Sequence, residues 1–89
     1  MKLEITKQLK KKLKKLVKSN PSLKQSLKKQ LTLFQTSPNH PSLRLHKLQG
    51  KRCQQLAIWI KGDLRALLIK SPTKKDTYVF FDLIKHKQY

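Results

Sequence analysis

The chain has 89 residues, of which 22 are Lys or Arg and 4 are Asp or Glu, giving a formal net charge of +18. One domain of this length, 1–89, buries only about 60% of the surface that its unfolded chain exposes, so its core must be thin. The single cysteine, Cys53, excludes an intrachain disulfide, and the longest apolar run, Leu56-Ala57-Ile58-Trp59-Ile60, is far short of the roughly 20 residues of a membrane span.

In chain order, Met1 to Ile5 reads as a short strand, and Thr6 as the N-cap of a helix from Lys7 to Lys18. Leu9, Leu13, Leu16 and Val17 form one apolar stripe on that helix, and lysines cover the rest. Ser19-Asn20-Pro21 ends it and starts another, with Asn20 as N-cap and Pro21 in the first turn. Leu23, Leu27, Leu31 and Phe34 keep helical spacing until Ser37-Pro38 stops the helix near Thr36. So short a link predicts an antiparallel helix hairpin. After a loop from Pro38 to Pro41 the period changes, and Leu43 to Leu48 reads as a short strand. Strands at Cys53–Ile60, Leu64–Lys70 and Thr77–Ile84 follow, joined by turns at Lys61-Gly62-Asp63 and Ser71–Asp76. The expected fold is α+β, with two helices packed on one face of a small antiparallel sheet whose other face is at least partly open.

A cationic excess this large destabilises a compact chain by self-repulsion, and a polyanion relieves it. In a single domain it is the usual footprint of a nucleic-acid binder, with RNA favoured over an anionic membrane or an acidic protein. The plainer reading is a solvated lysine surface. The opening charged, amphipathic segment does not resemble a signal peptide, and the lone cysteine fits a reducing cytoplasm.

The chemistry is narrowed by what is missing. There is no cysteine pair for zinc and no glycine-rich phosphate loop, and Glu4, Asp63, Asp76 and Asp82 are scattered, so neither metal nor cofactor is expected. His40, His46 and His86 are the groups able to exchange protons near neutral pH. RNA needs no more than this: one group takes the 2′-hydroxyl proton, another protonates the leaving 5′-oxygen, and a cation steadies the phosphorane. Arg65 interrupts an apolar strand, where it is either a phosphate ligand or half of a surface ion pair. His40, in its loop, reads as structural, Asp63 as a turn residue, and Trp59 as core rather than a stacking platform for bases.

Three segments resemble the RelE/ParE superfamily of toxins from type II toxin–antitoxin systems, in particular its RelE- and YafQ-like mRNA interferases. They are residues 40–51 (HPSLRLHKLQGK), residues 62–69 (GDLRALLI) and the ending 81–89 (FDLIKHKQY). The resemblance covers nearly the whole chain and implies two N-terminal helices on a small antiparallel sheet. It also implies ribosome-dependent, metal-free cleavage of mRNA, with a cognate acidic antitoxin, the ribosome and mRNA as partners. By position, His86 takes the main acid/base role. His46 and Asp63 supply the second proton-transfer group and its orienting partner, and Arg65 holds the phosphate. Tyr89 falls near a terminal aromatic that stacks on RNA. Arg44, Lys47, Lys51 and Arg52, with Lys11, Lys14 and Lys15 of the first helix, are the expected backbone contacts. The chain departs from the pattern where Ile84-Lys85 replaces Gly-Thr before the last histidine, and where Trp59 stands at the place of a further histidine. A ParE-like inhibitor of DNA gyrase and a non-catalytic RNA-binding module are the alternatives.

Overall fold

In a computed structural model, residues 1–50 and 54–85 are described. The elements are β1 (Lys2–Ile5), α1 (Lys7–Ser19), α2 (Pro21–Thr36), a 3-10 turn (Pro41–Leu43), β2 (His46–Lys47), β3 (Gln55–Lys61), β4 (Leu64–Lys70) and β5 (Thr77–Lys85). The strands form one sheet in the order β1-β5-β4-β3-β2.

Local chemistry accounts for the helix ends. Thr6 caps α1, its hydroxyl accepting the Leu9 N–H at 3.2 Å. Asn20 serves both helices. Its N–H closes α1 on the Leu16 carbonyl at 3.0 Å, and it occupies the N-cap position of α2 with Pro21 next. Its side chain caps no backbone donor, however, and instead accepts the Ser22 hydroxyl at 2.8 Å.

The helices cover one face of the sheet. Leu9, Leu23, Leu27 and Phe34 pack there with Ile58, Ile60, Ala66, Leu68, Phe80 and Leu83. Phe34 meets Tyr78 edge-to-face with centroids 5.4 Å apart, a favoured aromatic geometry. On the other face Ala57, Leu67 and Ile84 form a small apolar strip with Leu48, and Phe81 packs against it. No helix among the described residues is long and apolar enough to cross a membrane.

Three features differ from expectation. The sheet is mixed: β3, β4 and β5 form the antiparallel meander, but β1 runs parallel to β5, Leu3 opposite Tyr78. No hairpin joins these two strands, so nothing imposes an antiparallel pairing. The segment Leu43 to Leu48 is mostly not strand. Leu43 closes the 3-10 turn, Arg44 takes a left-handed φ of 49°, and only His46 and Lys47 pair with β3. Two bulges also shift the ladders, between Trp59 and Lys61 and opposite Leu67-Leu68. A bulge moves every later side chain to the other face. The first puts Lys61 on the same side as Ile60 and directs it to Ser22 of α2. The second lets Phe80 and Leu83 both face the helices while Ile84 joins the opposite face. The start of the predicted strand at Cys53 lies outside the described residues.

The first bulge is tied to the helices by a buried polar group. Gln30, 3% exposed, donates from Nε2 to the Trp59 carbonyl at 2.9 Å and to the Ser42 carbonyl at 3.4 Å. Truncating it strands a buried acceptor, which costs about 1–3 kcal/mol. We expect Gln30→Ala to lower the urea-unfolding free energy by about that amount. Gln25→Ala, on the exposed side of the same helix, should stay within about 0.5 kcal/mol of wild type.

Candidate functional site

His46, Trp59 and Arg65 meet on the sheet face away from the helices. Directly opposed residues in a ladder point to the same side. His46 is opposite Ala57, Trp59 is opposite Arg65, and Arg65 is opposite Ile84. His46, Trp59 and Arg65 therefore share that face, as the strand alternation of Ala57 and Leu67 requires.

Arg65 is 8% exposed. Its Nη1 donates to the carbonyls of Gly62 at 3.3 Å and Leu64 at 3.2 Å, and no carboxylate pairs with it among the described residues. The acids are mostly committed elsewhere. Glu4 pairs with Lys74 at 2.6 Å, Asp82 with Lys12 at 3.0 Å, and Asp76 with the N-terminal amine at 3.2 Å. Asp63 is exposed in the turn two residues before Arg65, outside these pairs. A buried cation held only by carbonyl dipoles is costly unless an anion joins it.

The Gly62 carbonyl links the site together. It accepts both Arg65 Nη1 and the indole N–H of Trp59, the latter at 2.8 Å. Gly62 has φ +56°, a left-handed conformation open to glycine at little cost, and this aims its carbonyl. The Arg44 guanidinium lies over the Trp59 ring, 5.2 Å from its centroid. The Arg44 carbonyl in turn meets His46 Nδ1 at 3.1 Å. A carbonyl can only accept, so in this contact Nδ1 carries the hydrogen. The site thus brings together a buried guanidinium, an imidazole held by a backbone carbonyl, and a half-buried aromatic ring under a second cation.

The other expected residues divide. Lys47 is exposed on β2 beside His46. Lys11, Lys14 and Lys15 are exposed on α1, in the layer across the sheet from Arg65. His86, Tyr89, Lys51 and Arg52 lie outside the described residues. His40 is structural, as expected: its Nδ1 accepts the Ser42 N–H at 3.1 Å and caps the 3-10 turn. Trp59, expected in the core, belongs to neither apolar cluster. Its alternation with Ala57 puts it on the open face, next to Arg65.

No family model matches the sequence, and no curated protein gives a significant match. Solved structures do. A YoeB/ParE toxin from Agrobacterium tumefaciens superposes with a TM-score of 0.77 over 97% of this chain and 99% of that one, at 13% identity. A copper-bound mutant toxin from Helicobacter pylori gives 0.70 over 98% and 96%, at 26% identity. YafQ from E. coli gives 0.73 over 96% and 92%, at 17% identity. The chain has the RelE/ParE toxin fold. The resemblance drawn from three short segments therefore holds at the level of architecture, and it places the Arg44–Trp59–Arg65 group on the uncovered face of a RelE/ParE sheet.

Arg65 is buried with no counter-charge among the described residues, so the fold gains little from it. We expect Arg65→Met to leave the melting temperature unchanged or to raise it by roughly 4–8 °C, the equivalent of about 1 kcal/mol in a domain of this size. Differential scanning calorimetry measures this directly.

Proposed function

We propose that this protein is the toxin of a type II toxin–antitoxin pair, and that it acts in the cytoplasm as a ribosome-dependent endoribonuclease. In this reading it cuts mRNA without a metal ion, by directing the 2′-hydroxyl onto the adjacent phosphate. The observation that carries the proposal is Arg65: a cation almost removed from water, with no carboxylate against it among the described residues, on the sheet face that the helices leave open. A phosphate is the anion that both satisfies such a guanidinium and lies beside a reactive hydroxyl in RNA.

The roles follow from this. Arg65 holds the scissile phosphate. His46 takes or gives a proton, with Asp63 as its orienting partner. His86 is the main acid/base group that the resemblance implies. It follows Lys85, whose register partner, Leu64, sits between Asp63 and Arg65. Arg44, Lys47, Lys51 and Arg52 grip the RNA backbone near the cut, and Tyr89 stacks on the message. Lys11, Lys14 and Lys15 belong to the helix layer, where they suit ribosomal RNA or an acidic antitoxin rather than the cleaved nucleotide. E. coli YafQ, of the same fold, is solved in a toxin–antitoxin complex with DinJ, which supports a protein partner of that kind here.

Induction of the wild-type chain should arrest growth and cut translated messages at codon-associated positions. Arg65→Met and His86→Ala should each abolish both effects while the purified proteins remain folded by circular dichroism. Growth arrest by folded His86→Ala equal to wild type would remove His86 from the mechanism. Intact messages with gyrase-dependent DNA breaks would support a gyrase-inhibiting toxin. RNA binding that survives replacement of all three histidines, with no arrest, would support a non-catalytic RNA-binding module.

A further inference from the structure

We infer that Trp59, with Arg44 over its ring, is the seat for one unpaired nucleobase of a single-stranded RNA whose phosphate rests on Arg65. This rests on the RNA reading above and names the substrate's form: an unstacked, single-stranded segment.

Trp59 has the largest apolar surface of any side chain type, yet it packs into neither hydrophobic cluster. Its position is nevertheless fixed from three directions. The indole N–H is bonded to the Gly62 carbonyl at 2.8 Å, its own backbone carbonyl accepts Gln30 at 2.9 Å, and the Arg44 guanidinium stands 5.2 Å from the ring centroid. A half-exposed aromatic held this firmly has its ordering entropy lost on folding, so a ligand that stacks on it does not bear that cost again.

Arg44 adds a second, independent observation. Its backbone is left-handed, φ 49°, which costs a non-glycine residue about 1–3 kcal/mol. That conformation lies between the 3-10 turn and β2, and it is the one in which the guanidinium reaches the ring. Indole and guanidinium planes are both surfaces on which bases of single-stranded RNA stack. Arg65 is the direct cross-strand neighbour of Trp59, close enough for one nucleotide to engage both. An acidic peptide would use the cations but gain nothing from the ring. A base inside a duplex already has both of its faces stacked.

The chain has one tryptophan, so Trp59 fluorescence reports on this seat alone. The probes are a dye-labelled, uncleavable 2′-O-methyl RNA 12-mer, the same 12-mer with abasic sites, its duplex, and poly-glutamate. Binding is read by anisotropy of the dye and stacking by quenching of Trp59. The intact single strand should bind and quench. The abasic strand should bind more weakly without quenching, and poly-glutamate should leave the fluorescence unchanged. Trp59→Ala should weaken single-strand binding by about 5- to 150-fold, the range for loss of one stacked base, with an unaltered salt slope. Arg65→Met should instead reduce that slope by about one phosphate's worth. Trp59→Phe, which retains a ring, should bind between wild type and Trp59→Ala and covers the case in which the alanine variant fails to fold. Equal binding of intact and abasic strands, quenching by the duplex as strong as by the single strand, quenching by poly-glutamate, or wild-type affinity in folded Trp59→Ala would overturn the stacking seat while leaving RNA binding intact. Failure of every RNA probe to bind at low salt would overturn the RNA reading itself.

Discussion

Two short helices can bury one face of a five-stranded sheet but not both, and this limit organises the molecule. α1 and α2 cover the Ile58, Ile60, Ala66, Leu68 and Phe80 side. The reverse side has only the thin strip of Ala57, Leu67, Ile84 and Leu48 to stabilise it. Hydrophobic burial is therefore concentrated on one side, and the other is free to carry groups that a core would reject. Arg65 is such a group. It is the second residue of β4, beside the Gly62 turn, where packing alone would favour an aliphatic residue, and among the described residues it is held by carbonyls rather than by a carboxylate. A stability cost retained inside a small domain is the pattern expected of a residue kept for function.

The charge that dominates the composition separates into two kinds. The three arginines, Arg44, Arg52 and Arg65, all lie in the sheet half of the chain, whereas the densest run of cations, in α1, is lysine throughout. Arginine's planar fork matches phosphate and stacks on aromatic rings, while lysine offers a mobile point charge. Arg44 and Arg65 flank Trp59 and are fixed by it and by the Gly62 turn. The α1 lysines ring a shallow groove floored by Leu13, Val17 and Leu27 on the far side. A net charge of +18 thus describes two surfaces, one built for a defined geometry and one for general attraction.

Much of the fold was legible before any coordinates. Thr6, Pro21, the leucine spacing of both helices and the turns at Gly62 and Ser71–Asp76 all act locally, and local chemistry decides them. The parallel pairing of β1 with β5 was not legible, because it joins residues some 75 positions apart and leaves no mark on either strand's pattern. Nor were the bulges. The alternation in Phe80-Phe81-Asp82-Leu83-Ile84 does not say where the extra residue falls, yet that residue sends Ile84 to the side of Arg65. The site shows the same division. His46 and Arg65 were singled out as candidates from residue type and a family-like pattern, and the ladder brings them to one face. Trp59 reads as core because an apolar run normally is core. Only the tertiary bonds of its ring and carbonyl show otherwise.

The chemistry of the cut RNA ends tests the central claim most directly. Attack by the 2′-hydroxyl breaks the P–O5′ bond, leaving a 5′-hydroxyl on one fragment and a 2′,3′-cyclic or 3′-phosphate on the other. We expect messages recovered after induction of the wild-type chain to carry 5′-hydroxyl ends that ligate only after kinase treatment, and Arg65→Met to produce none. Fragments with 5′-phosphate and 3′-hydroxyl ends, or intact messages in cells that have stopped growing, would contradict RNA cleavage on this face of the sheet.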